Sequence, residues 1–256
     1  MPFEYIDFES AKNAEGLRMV VVSGVPSPWG EGAKGILHVK GIPWKAVRLD
    51  AANDEMAAWS GDRSGPVAIY NDEVPRSNWA QILLLAERLA PSPALLPEDA
   101  GDRALVMGLC HEICGEDGLG WARRLQGIHA GLQGEPGFPP PVAAYLGDKY
   151  GYRESEAPRQ SARVALLLRL LSTRLNDQKS RGSDYYVGTT LTAVDIYSAT
   201  FMALFKPLPA EQCAMAEALR PAFEASDDVT RDAFDPILIE HRDRMYAQHL
   251  ELPLSL

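Results

Sequence analysis

The stretch Val20-Val21-Val22-Ser23-Gly24-Val25-Pro26-Ser27-Pro28-Trp29-Gly30-Glu31-Gly32-Ala33-Lys34-Gly35 decides the fold. An apolar, strand-like run ends by Gly24. Beyond it Gly30, Gly32 and Gly35 spell G-x-G-x-x-G, with Asp50 twenty residues past the first of them. In a dinucleotide site with that spelling, the first glycine sits at the strand tip. The chain then turns at once into a helix whose amides face pyrophosphate. Here Val25-Pro26-Ser27-Pro28-Trp29 intervenes. Two prolines and an indole make a defined loop that keeps phosphate from the strand tip. Close packing of a short helix against a sheet accounts for the three glycines better. A dinucleotide-binding enzyme is the third of three functional readings.

Composition narrows the class. At 256 residues, with 46% hydrophobic and 23% charged residues, the chain is an ordinary globular protein of one large or two small domains. Its net charge of -10 argues against nucleic acid, which needs concentrated Lys and Arg, and against an anionic membrane surface. No run approaches the ~18 apolar residues of a spanning helix. The acidic start, Met1 to Glu9, lacks the basic and apolar regions of a secretory signal. Three cysteines are an odd number and make no disulfide framework. A cytoplasmic location is the expectation.

Outward from the quoted stretch, periodicity predicts strands over 17–23, 44–49 and 66–70. Helices are predicted over 31–40 and 77–89, and little or no fourth strand. Gly41 and Pro43 close the first helix, and Asn71-Asp72-Glu73 reads as a turn. Residues 8–15 read as a helix closed by Gly16, inside an N-terminal extension, 1–16. Ala90-Pro91-Ser92-Pro93 breaks the pattern. After it, helices are predicted over 103–114, 120–132, 155–176, 192–205, 210–225 and 228–249. Residues 134–141, rich in Gly and Pro, read as a stiff loop. The expected organisation is an extension, 1–16, an α/β domain, 17–91, a linker, 92–99, and an all-α C-terminal domain, 100–256.

Four local features then resemble the glutathione transferase family across residues 17 to about 250. Ser27-Pro28-Trp29 is similar to the Ser-Pro-Phe of the tau class and the Cys-Pro-Phe of the omega class. Val39-Lys40-Gly41-Ile42-Pro43-Trp44 is similar to the family's x-K-G-I-x-Y/F helix end. Gly65-Pro66-Val67-Ala68-Ile69 stands at the place of its cis-proline strand. Gly188-Thr189-Thr190-Leu191-Thr192-Ala193-Val194-Asp195-Ile196 resembles its G-x-x-x-S/T-x-A-D-I/F helix start, where Thr192 and Asp195 can form a capping box. The resemblance implies a thioredoxin-like N-terminal domain, a helical C-terminal domain, glutathione as co-substrate, and a homodimer.

It also implies roles. Ser27 would donate to the glutathione sulfur and lower its pKa, helped by the helix N-terminus that follows. A plain helix N-cap is an equally good account of Ser27. Trp29 would line the glutathione site, Gly65 would pair its backbone with the cysteinyl part beside cis-Pro66, and Ser77 would bind the γ-glutamyl carboxylate. Ser77, too, can be read as an N-cap.

Departures accompany these matches. Arg76 stands where the family has Glu or Asp for the γ-glutamyl ammonium, leaving Asp62, Asp72 or a partner residue as acceptor. Gly32 replaces a tau-type arginine, and Trp59-Ser60-Gly61-Asp62-Arg63-Ser64 replaces the family's Asn-Pro-x-Gly-Lys.

Cys110-His111-Glu112-Ile113-Cys114 is not H-E-x-x-H, and no second cluster completes a metal set. Cys110, Cys114 and Trp121 are expected to face a pocket for a hydrophobic electrophile. Trp29, Trp44, Trp59 and Trp79 are core or pocket walls. The leading reading is an enzyme conjugating or using glutathione against such an electrophile. The alternative is a binding module of the same fold without catalysis.

Overall fold

The computed structural model describes residues 3–215 and 219–256. The chain opens with β1 (Glu4–Tyr5), α1 (Phe8–Asn13), β2 (Leu17–Val21) and α2 (Pro28–Val39). It continues with β3 (Trp44–Arg48), α3 (Asp54–Ser60), β4 (Val67–Tyr70) and α4 (Trp79–Leu89). The strands form one sheet in the order β1-β3-β2-β4, with β4 antiparallel to β2 and the other pairings parallel. Side chains alternate across it. Leu17, Met19 and Val21 pack with Ile36, Leu37, Ile82 and Leu83 of α2 and α4. Val20 turns the other way, into a cluster with Ala11, Val47, Met56, Val67 and Ile69. Helices therefore cover both faces: α2 and α4 on one, α1 and α3 on the other.

Two features stand out against the sequence pattern. Residues of the expected extension are the sheet's edge: Glu4 and Tyr5 pair with Lys45 and Ala46, and Phe3 stacks on Trp44 at 4.4 Å. Helix α3 has no periodic signature, because Met56 and Trp59 are its only large apolar residues. Local caps define it: Asn53 accepts from the Met56 amide, and Gly61 ends it at φ +74°. After β4, as the sequence suggests, a further strand is reduced to one antiparallel bridge between Ala68 and Arg76.

The helical part comprises α5 (Ala100–Cys114), α6 (Leu119–Leu132), α7 (Pro140–Tyr150) and α8 (Ala157–Ser180). It is completed by α9 (Ala193–Phe201), α10 (Arg220–Glu224), α11 (Asp228–Ala233) and α12 (Pro236–Gln248). Helix α7 begins inside the stretch expected to be a stiff loop. Its prolines occupy the first helical positions, where a missing N–H costs nothing. The helix predicted over 228–249 is two. Pro236 cannot continue a helix from α11, and Asp235 caps α12 by accepting from the Ile237 amide at 2.9 Å. Of the helix predicted over 210–225, only Arg220–Glu224 is helical among the described residues; 216–218 lie outside them.

Helix α9 is buried along its whole length and receives α2. A Cβ on Gly32 would lie 2.8 Å from Tyr197 Cδ1, and one on Gly35 2.9 Å from Ile196 Cγ2. Gly32 and Gly35 thus serve helix packing against α9, not against the sheet as the sequence suggests, while Gly30 faces Leu256. These glycines lie inside a helix and leave no open loop to cradle pyrophosphate. Asp195 anchors α9 as the capping box requires. Its carboxylate also accepts from the Thr192 amide at 2.8 Å, the Tyr186 amide at 2.9 Å and His241 Nε2 at 3.0 Å.

Lys40, just past α2, explains its own motif. Its Nζ donates to the carbonyls of Ala90 and Pro93 at 2.7 and 2.8 Å and pairs with Glu87 at 2.6 Å. The ammonium thereby holds the segment that joins the sheet to the helices.

Candidate functional site

The loop after β2 carries Ser27 to the mouth of α2. Ser27 has N-cap backbone geometry, yet its side chain makes no cap hydrogen bond. Pro28, at the first helical position, lacks an N–H. The half-buried hydroxyl is therefore not consumed by the helix it precedes. Gly65-Pro66 is a cis peptide. A Cβ on Gly65 would come within 3.1 Å of Val20 O and 3.3 Å of Val22 N, so a side chain here would have to push this loop a few tenths of an ångström away from the end of β2. The Gly65 amide and carbonyl form no backbone hydrogen bond among the described residues. The loop bearing Ser27 leaves this end of β2, and the loop bearing Gly65 lies against it on the way into β4.

Trp29 does not stand free in a glutathione cleft. Its indole N–H donates to Cys114 O at 2.8 Å, and its ring meets Phe201 edge-on at 4.8 Å. It joins the start of α2 to the helical part. Arg76 is also committed. Its backbone makes the bridge to Ala68, and its guanidinium pairs with Glu73 at 2.6 Å, a carboxylate shared with Arg88. The hydrogen bonds from Arg88 and Arg76 hold the Glu73 carboxyl below the usual range. Ser77 is exposed and one residue too early to cap α4; Asn78 does so, accepting from the Ala80 amide at 2.8 Å. The half-buried Asp62 accepts from the Ser64 amide at 2.9 Å, three residues ahead of Gly65, while Asp72 is exposed on the turn after β4.

The cysteine expectation is corrected. Cys110 and Cys114 are core residues, at 0% and 3% exposure, and do not line an open pocket. Burial pushes both thiols well above their ordinary pKa. The i, i+4 spacing places both on one helix face, and that face turns toward α9. Trp121 is half-buried and meets Tyr150 edge-on at 4.9 Å. Two residues at this place are invisible to sequence reasoning. Arg124 lies over the rings of Trp29 at 4.5 Å and Tyr150 at 4.7 Å, and donates to the Tyr150 hydroxyl at 2.6 Å. No local motif marks them, because α6 and α7 bring them to Trp29 across more than ninety residues of chain.

A four-stranded mixed sheet with cis-Pro66, a helix following Ser27 and a helical second part define the glutathione transferase fold. Solved structures agree. A glutathione S-transferase of Methylobacterium radiotolerans, in complex with glutathione sulfonate, is similar with TM-score 0.60 and 20% identity, covering 94% of this chain and 97% of that one. A Pseudomonas fluorescens member with two glutathione bound gives 0.62 and 16%, over 93% and 94%. A rice transferase in complex with glutathione gives 0.58 and 18%, over 93% of each. No family model and no curated protein matches the sequence. No helix among the described residues is long and apolar enough to cross a membrane.

Proposed function

We propose that the chain is a cytoplasmic glutathione transferase that uses Ser27 to stabilise the glutathione thiolate for attack on a hydrophobic electrophile. The observation that carries this is the Ser27 hydroxyl, at the mouth of α2, unspent on capping and at the same end of β2 as the Gly65–cis-Pro66 loop. Ser27 donates to the sulfur, which lowers the thiol pKa. The N-terminus of α2 adds a favourable partial positive charge. Gly65 offers an N–H and a carbonyl for strand-like pairing with the cysteinyl part.

The γ-glutamyl end is the weak part of this site. Arg76 cannot accept from an ammonium, and it pairs with the Glu73 carboxylate. Asp62 is the acceptor that remains beside Gly65. Glutathione is therefore expected to bind with a Kd in the millimolar range (about −4 kcal/mol). Arg76→Glu is expected to tighten it about tenfold, a gain of ~1.4 kcal/mol. Isothermal titration checks both numbers; micromolar affinity in the wild type, or no gain in the variant, contradicts this account of Arg76.

The Arg76–Glu73 pair also supports the second reading, a binding module of the same fold that does not turn over glutathione. Turnover of an aromatic electrophile by the wild type separates the two. A homodimer belongs to the leading reading, with the sheet domain of one subunit against the helices of the other. Light scattering at micromolar concentration is expected to give twice the chain mass; a monomer there refutes the dimer.

A further inference from the structure

We infer that Arg124 is an anion-recognition residue of the electrophile site, and that the second substrate is a planar apolar molecule carrying a carboxylate. This deepens the transferase reading and rests on it, because Arg124 lies over Trp29, two residues past Ser27. Arg124 is half-buried and has no carboxylate partner among the described residues. Its only hydrogen bond there runs from Nη1 to the Tyr150 hydroxyl at 2.6 Å. Arg123, its neighbour on α6, is the contrast. It spends Nε on Leu204 O at 3.0 Å, Nη1 on Gln126 Oε1 at 3.1 Å and Nη2 on Phe223 O at 3.1 Å. That is a structural arginine with every nitrogen used.

Arg124 keeps Nε and Nη2 unused, and neither is sealed away from solvent. That pair of donors is the side-on edge that grips a carboxylate with two parallel hydrogen bonds. The guanidinium is held still by two rings, Trp29 at 4.5 Å and Tyr150 at 4.7 Å. Cation–π contact stabilises the charge that burial disfavours. Trp29 is itself fixed by its bond to Cys114 O and stands two residues past Ser27. Trp121, one helical turn before Arg124, provides a flat apolar wall. A half-buried cation without a counter-ion is costly to maintain, and a ligand carboxylate would remove that cost. The arrangement combines an apolar wall with one fixed, unpaired charge, as orienting ligand sites do.

The test compares a chloronitrobenzoate with the corresponding uncharged chloronitrobenzamide, each titrated calorimetrically into the full chain without glutathione. The wild type is expected to bind the acid at least about tenfold more tightly than the amide. Arg124→Met is expected to bind the two alike, and Arg124→Lys to keep a reduced preference. Equal affinities in the wild type, binding of neither compound, or an undiminished preference in Arg124→Met overturns the assignment. Should Arg124→Met fail to fold, the wild-type comparison and Arg124→Lys decide. A separate glutathione titration keeps the two ideas apart. Acid preference without glutathione binding leaves the anion site standing and removes the transferase reading; glutathione binding without acid preference does the reverse.

Discussion

Replacing Ser27 by Ala is expected to lower turnover of an aromatic electrophile roughly 10–1000-fold, a loss of about 1.4–4 kcal/mol of transition-state stabilisation. Thermal stability should hardly change. The reason is local: the Ser27 side chain makes no cap bond to α2, so its removal leaves no helix amide newly unpaired. A residue acting as an N-cap behaves the other way, costing about 1 kcal/mol of stability when truncated. Steady-state kinetics and a melting curve on the same preparation therefore give opposite signatures. Unchanged activity with a lowered Tm would make Ser27 a cap after all. The thiolate reading also predicts that the pKa of bound glutathione, followed by its ultraviolet absorbance, rises in the variant.

Lys40→Met is expected to cost about 3–5 kcal/mol of stability, because it removes one member of a buried ion pair. The Lys40 side chain is 0% exposed and its partner Glu87 16%. Methionine would fill most of the volume. It would leave the Glu87 carboxylate without its cation, and the carbonyls of Ala90 and Pro93 without their donor. For a chain of this size the loss corresponds to a Tm decrease of roughly 6–20 °C. Differential scanning calorimetry measures it directly. A Tm within a degree of the wild type would show that the link between sheet and helices does not depend on this ammonium.

Much of the sheet domain is legible in the amino-acid sequence. The Val-rich strand, the helix closed at Gly41 and the strand after Pro66 are all written in short range, and so, in the helical part, is the box at Thr192 and Asp195. Each rests on local chemistry: side-chain periodicity, a glycine permitting a turn, a hydroxyl and a carboxylate three residues apart. The near-absence of a further strand after β4 is also legible, in the turn residues that follow Tyr70. Helix α3 is not, because two large apolar residues make no visible period. Helix α7 is not, because prolines at a helix start look like prolines in a loop.

The candidate site divides the same way. Ser27, Gly65 and Pro66 announce themselves through their neighbours in the chain, since a helix mouth and an X-Pro bond are local events. The states of Trp29, Arg76, Cys110 and Cys114 do not. Whether an indole is free or bonded to Cys114 O, and whether a guanidinium is open or held by Glu73, depends on what other elements bring alongside. The same holds most strongly for Arg124. In sequence it is one of two adjacent arginines on an ordinary amphipathic helix. Packing alone assigns one of them wholly to the protein's own acceptors, and leaves the other against two aromatic rings with an unspent edge. Sequence periodicity can say which face of a helix turns inward. It cannot say which polar groups will already be waiting there, because those arrive from other parts of the chain.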